Sequence, residues 1–261
     1  MADLSLESYW QLPPLSRTLA TATFALSLAI HTGLLPGWWF VWAPRFLWMF
    51  PPQIWRFATA FLITGPKLGL LFDTYFLYSY LSQLEVGHPR FPRKEDLIWY
   101  LMFVGGSIMT INYLTGFGFV AFLQALIVAI CYTVTQDQRG MKVSYMFITI
   151  PAQLMPYAMI LINLLFPGGV MNMLLQAQGL VAGHLFEFLT RVWPEYGGGS
   201  NLIPTPAVLS TIVQATGSIQ GRVTGGGGAR PSDQASGRTT GASRGPLPDS
   251  WRTRGPGQRL G

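Results

Sequence analysis

The stretch WRFATAFLITGPKLGLLFDTYFLYSYLSQLE, Trp55 to Glu85, decides the fold class. From 57 to 82 it carries an apolar run long enough for a helix to cross a hydrocarbon layer of about 30 Å, which takes about 20 residues. Lys67 and Asp73 interrupt that run. They stand six positions apart, off a common helical face, so no ion pair is expected between them, and each needs a polar neighbour or a wet cavity. Similar runs lie at 18–35, 97–113, 116–135, 143–166 and 168–190. The expectation is an all-α membrane protein, a helical bundle of six spans, and composition agrees: half of the 261 residues are hydrophobic and 11% are charged. No alternation is long enough for a barrel, and nothing points to nucleic acid.

Basic residues set the expected orientation. Arg90, Arg93 and Lys94 follow the second run, Arg139 and Lys142 the fourth, and Arg191 the sixth, whereas the connections after the third and fifth have none. Both termini are therefore expected in the cytosol. Asp3 and Glu7 precede the first run, which is taken as retained and not as a cleaved signal peptide. The organisation expected is a cytosolic N-terminus at 1–17 and a membrane domain at 18–190 with an interfacial loop at 36–56. A juxtamembrane segment follows at 191–216, then a disordered tether at 217–254 and a terminal motif at 255–261. Within the juxtamembrane segment, Thr205-Pro206 has helix-start chemistry, and Val208, Leu209, Ile212 and Val213 recur at the spacing of a short amphipathic helix. The tail is rich in Gly, Ser, Pro and Arg and cannot bury enough surface to order itself.

The stretch PGWWFVWAPRFLWMFPPQIWRF, Pro36 to Phe57, holds five of the nine tryptophans: Trp38, Trp39, Trp42, Trp48 and Trp55. Four prolines break it, so it does not span as a straight helix. Indole rings favour the membrane interface because they are apolar yet carry an N–H that needs a partner. Arg56 reaches lipid phosphate or backbone carbonyls from the same depth. Two readings follow, an aromatic anchor belt or a loop partly inserted in one leaflet that disturbs lipid packing.

In QAQGLVAGHLFEF, Gly179 and Gly183 share one face of the sixth span, where two missing side chains let another helix approach. His184 and Glu187 are i,i+3 neighbours on an adjacent face, the ordinary role of such a histidine being packing. Gln124, Gln153, Asn163, Asn172 and Gln176 also fall within spans, either as a hydrophilic path or as hydrogen-bonded glue between helices. The single cysteine, Cys131, excludes an internal disulfide and a cysteine-based metal site; no metal or cofactor is expected. The chain ends in GPGQRLG, Gly255 to Gly261, with Gly255, Gly257, Gln258, Arg259, Leu260 and Gly261 in the pattern of a short peptide that takes its shape on a partner.

Together these features resemble the Derlin family, rhomboid-like pseudoproteases of the endoplasmic reticulum, from about Pro14 to Pro206 and again over the last seven residues. The resemblance rests on the stretch from Trp55 to Glu85, on GLVAGHLFEFL at 179–189, on Thr205-Pro206 and on the terminal segment. By that resemblance Trp55-Arg56 is the family's WR motif, Gly179 and Gly183 its GxxxG motif, and GPGQRLG its SHP box, which binds the hexameric AAA ATPase valosin-containing protein. Arg254 stands before the box where relatives often have an aromatic residue, which puts the affinity in question or gives Trp251 a part in it.

Proteolysis is not expected. An active rhomboid needs a G-x-S-G serine near the start of span 4 and a histidine in span 6. No serine lies between Ser107 and Ser144, and Gln176 stands where the histidine would be. Gly105-Gly106-Ser107 with His184 is the remaining pair, but Ser107 falls midway along the third run and Ile108 follows it. The resemblance implies retrotranslocation in endoplasmic-reticulum-associated degradation. Membrane lipid, misfolded clients and a membrane ubiquitin ligase complex would be the partners, with the ATPase recruited by the tail because the chain has no phosphate-binding loop of its own. The alternatives are a small-molecule or lipid transporter and a membrane scaffold.

Overall fold

The computed structural model describes residues 6–46, 50, 52–138, 140–145, 148–165, 168–197, 199, 202–211 and 213. Trp48, the tether and the terminal motif at 255–261 lie outside them. After α1 (Leu6–Gln11) come α2 (Pro14–His31), the single turn α3 (Arg56–Thr59), α4 (Leu68–Glu85), α5 (Lys94–Thr115) and α6 (Leu123–Asp137). A hairpin of β1 (Lys142–Tyr145) and β2 (Ile148–Pro151) leads to α7 (Met155–Ile162), α8 (Gly169–Glu187) and α9 (Trp193–Tyr196). Of the described helices, α5 alone combines the length and hydropathy of a full membrane crossing.

α6 is the centre of the bundle. From Leu123 to Thr135 almost every residue is buried, and a helix apolar on all sides is stable only when other elements surround it. Its most extensive partner is α8. α2 packs on α4, and Glu85 at the end of α4 accepts from the Leu15 and Ser16 backbone N–H groups at 2.8 and 2.7 Å. That carboxylate does the work of a helix cap, which Pro13 cannot do with its own side chain.

Three element boundaries differ from expectation. The second run begins with the turn α3, then 60–67 is non-helical before α4 starts. Its backbone is held by polar side chains: Ser27 Oγ donates to Leu62 O at 2.9 Å and accepts from Thr64 N at 3.0 Å, and Asp73 accepts from Gly65 N at 2.9 Å. Irregular backbone among apolar helices persists when protein groups satisfy it in this way. Lys67 closes the break with a φ of 57°, a strained value for a residue with a side chain. The fourth run becomes helical only at Leu123, because Asn112 clamps the preceding turn through Phe119 N and Phe119 O, both at 3.1 Å. The fifth run was expected at 143–166, but its first part is the hairpin, with Lys142 paired to Pro151 and Val143 to Ile150. Apolar helix there is confined to 152–165.

Candidate functional site

The aromatic loop between α2 and α4 is organised by Arg56. Its guanidinium is fully buried, with Nε donating to Gln53 Oε1 at 2.6 Å and Nη1 to the carbonyls of Trp38 and Val41 at 2.8 and 2.5 Å. Its Cζ lies 4.3 Å from the Phe46 ring centroid. A planar guanidinium presents several donors in one plane and stacks on rings, so one side chain holds a proline-broken loop together. The backbone carbonyls expected as one of its two partners are met.

Trp38, Trp39 and Trp55 stay 58%, 47% and 43% exposed around that hub, the last donating from its indole to Trp39 O at 3.3 Å. Trp42 departs from the interfacial placement expected for these rings. It is buried, its backbone N–H donates to Val120 O at 2.8 Å, and its ring packs 5.0 Å from that of Phe57, so it anchors the loop to the bundle instead of facing outward.

Gly179 and Gly183 face Ala125 and Ala129 of α6. A Cβ at Gly179 would sit 1.9 Å from Ala125 O, and one at Gly183 3.1 Å from Ala129 O. Only the first is impossible without moving backbone. Beside them, buried Gln176 accepts from Asn163 Nδ2 at 2.9 Å, joining α8 to the end of the fifth run. His184 meets the Tyr132 hydroxyl at 2.8 Å through Nδ1. Among the described residues no hydrogen bond joins it to Ser107. The helix expected after Thr205-Pro206 begins at residue 207, and the Thr205 hydroxyl donates to Asp96 Oδ1 at 2.7 Å, tying the segment after α9 to the start of α5.

Glu187 does not partner His184. It is buried and binds Arg90, from the α4–α5 connection, and Arg191 at 3.1 Å. Arg90 also binds Asp137 at the end of α6, and His88 Nε2 lies 3.1 Å from the same carboxylate. Burial is the largest influence on His88 and lowers its proton affinity below the ordinary value, against the pull of Asp137. This cluster fastens the α4–α5 connection to the ends of α6 and α8 at one end of the bundle. The sequence reading missed it, since Arg90 was seen only as a basic loop residue and Asp137 not at all. Partners 97 positions apart leave no local signal.

Such a set of interactions positions helices and a surface loop; among the described residues no group of His, Cys, Asp and Glu is arranged to hold a metal ion. Comparison with known sequences gives a consistent answer. Residues 12–207 match the Der1-like family. Derlin-1 of Homo sapiens is 32% identical over 222 residues, 80% of this chain and 82% of the relative, and Derlin-1 of Bos taurus matches to the same extent. Derlin-1 of Arabidopsis thaliana is 27% identical over 215 residues, 79% of this chain and 76% of the relative.

Proposed function

Since the chain belongs to the Der1-like family, a family of endoplasmic reticulum membrane proteins tied to the degradation of misfolded proteins, we propose that it is a non-catalytic helper of retrotranslocation. In this reading it crosses the membrane six times with both termini in the cytosol, thins the bilayer around itself, and recruits an AAA ATPase through Gly255–Gly261. The charged end of the bundle then faces the cytosol and the aromatic loop the lumenal leaflet.

The observation that carries the thinning argument is the length of the fifth run. Its α-helix has 8 residues, flanked by two 3₁₀ turns of 3 each, so it extends about 24 Å at 1.5 and 2.0 Å per residue. α5, with 22 residues, extends about 33 Å. α6 is short as well, but it is enclosed by protein and sets no lipid boundary. The fifth run does meet surroundings, since Leu154, Tyr157, Leu161 and Leu165 are exposed on it. Lipid against such a face must thin, at a cost of fractions of a kcal/mol per Å that the apolar face of the protein offsets. A thinner layer lowers the barrier to a polypeptide whose unpaired backbone groups each cost several kcal/mol in hydrocarbon.

Catalysis has no support from the residues: Gln176 occupies the expected base position and is spent on Asn163, and His184 is spent on Tyr132. The transporter reading loses ground for the same reason, because Tyr100 is paired with Thr133, Asn163 with Gln176 and Asp73 with Gly65. The test is turnover of a misfolded membrane client in cells carrying Trp38→Ala/Trp39→Ala/Trp55→Ala, or lacking 255–261. Each variant is expected to slow turnover several-fold, the second by losing the ATPase, whose binding to a peptide of residues 245–261 should vanish with Leu260→Ala. Full turnover in both variants would falsify the proposal.

A further inference from the structure

At the charged end, a cleft of about 950 Å³ opens between the α4–α5 connection, the start of α5, the end of α8 and the segment Ile203–Thr205. Arg90, Arg93 and Arg191 line it, whereas Glu187 and Asp137, which hold two of them, are not part of its wall. Two of the three guanidiniums keep N–H groups to spare. Arg93 spends Nε and Nη2 on Asp96 at 3.2 and 3.1 Å, leaving Nη1. Arg191 spends Nη1 on Glu187 at 3.1 Å, leaving Nε and Nη2 without an acceptor among the described residues. Both side chains stay exposed, at 64% and 45%. Arg191 comes from a π-helical turn, Phe188–Val192, that continues α8; such turns are rare and recur at functional sites. Glu195 also lines the cleft, and it has no ion-pair partner among the described residues.

We propose that this cleft binds the headgroup of a zwitterionic phospholipid such as phosphatidylethanolamine, its phosphate accepting from the spare N–H groups of Arg93 and Arg191 and its ammonium donating to Glu195. The inference rests on the function above only in placing this end of the bundle at a membrane surface. Charge selects the occupant. An anionic headgroup gains the arginines but is repelled by Glu195, and a cation gains Glu195 but is repelled by three guanidiniums; a headgroup with both signs satisfies both. Guanidinium suits phosphate because its planar donors match two oxygens at once. The carboxylates that already hold each arginine fix that plane, so little side-chain freedom is lost when phosphate arrives. Phe91, Pro92 and Phe186 give an apolar wall for the glycerol end of the lipid. The surroundings select a lipid over a soluble phosphate ester: Trp193 and Tyr196, neighbours of lining residues Pro194 and Glu195, stay exposed and are the residue types that favour the headgroup layer. Pockets for small molecules span about 300–1,000 Å³, so the cleft takes a whole headgroup and not a lone ion.

The test uses the full chain in nanodiscs of equal phosphatidylethanolamine and phosphatidylglycerol, with the retained lipid identified by native mass spectrometry. The wild type is expected to hold phosphatidylethanolamine over phosphatidylglycerol by about fivefold or more. Arg93→Gln/Arg191→Gln should lower total retention about tenfold, the scale of one lost charge-assisted hydrogen bond. Glu195→Gln, which removes the carboxylate and spares the arginines, should reverse the preference toward phosphatidylglycerol. Glu195 is exposed, so this variant keeps the proposal open to disproof if the arginine pair folds poorly. Equal retention of the two lipids by the wild type, retention unchanged in the arginine variant, or a preference unmoved by Glu195→Gln would overturn the inference. Displacement of the lipid by about 1 mM soluble phosphoethanolamine would overturn it too, by assigning the cleft to a soluble ligand. A separate arm tests the placement: Tyr196→Cys, in a chain whose other cysteine, Cys131, is buried, should react with a membrane-impermeant maleimide in sealed microsomes. Labelling only after permeabilisation overturns the orientation proposed above, while lipid retention in nanodiscs stands or falls by itself.

Discussion

At the residue scale, two positions carry the most specific consequences. Arg56 satisfies loop carbonyls from a buried site, so Arg56→Lys, which keeps the charge and loses the planar fork, should cost about 2 kcal/mol, the scale of a hydrogen bond to a charged group. Detergent unfolding monitored by tryptophan fluorescence measures it. Gly179→Ala places a carbon 1.9 Å from Ala125 O; overpacking of that kind costs about 1–3 kcal/mol. Gly183→Ala meets Ala129 O at 3.1 Å and should cost less than about 1 kcal/mol, so the two melts should separate in that order. The closeness of the glycines to a neighbouring helix could be anticipated from their spacing alone. The inward turn of Trp42 could not, because a loop broken by prolines has no period from which to assign a facing direction.

At the element scale, the positions of the helices were legible in outline and their ends were not. Hydropathy sees an apolar run at 143–166 and cannot separate strand from helix in a short one; the β-branched and aromatic residues of KVSY and ITIP pair as a hairpin. Asp73 and Ser27 sustain the break at 60–67 through bonds that only the folded chain brings together. The cluster joining the α4–α5 connection, α6 and α8 depends likewise on distant partners, and it makes stability depend on pH. The folded His88 binds its proton more weakly than the ordinary 6.5, so the unfolded chain holds more protons in the window just below that value. Stability is then complete above about 6.5 and falls as pH drops through the window toward the folded value. Thermal midpoints between pH 5 and 8 should fall on the acid side, with a shallower fall in His88→Gln. A His88→Gln profile as steep as the wild type would assign the slope to other groups.

At the scale of the whole molecule, membership of a membrane family and a mostly helical bundle were readable from composition and motifs, while the proposed easing of a polypeptide through a bilayer rests on one short face. The fifth run extends about 24 Å where the hydrocarbon is about 30 Å thick, and the exposed rings of Trp38, Trp39 and Trp55 border the opposite leaflet surface in the same reading. In the proposed function, lengthening the run by one turn of leucines after Ile162 should restore the match and slow client turnover, while the proposed binding of an ATPase to the tail should be unaltered. The most direct measurement is the hydrocarbon thickness around the purified chain in nanodiscs, resolved by cryo-electron microscopy around the circumference of the bundle. The account predicts a layer thinner by about 6 Å beside the fifth run than beside α5; uniform thickness around the whole bundle would contradict it.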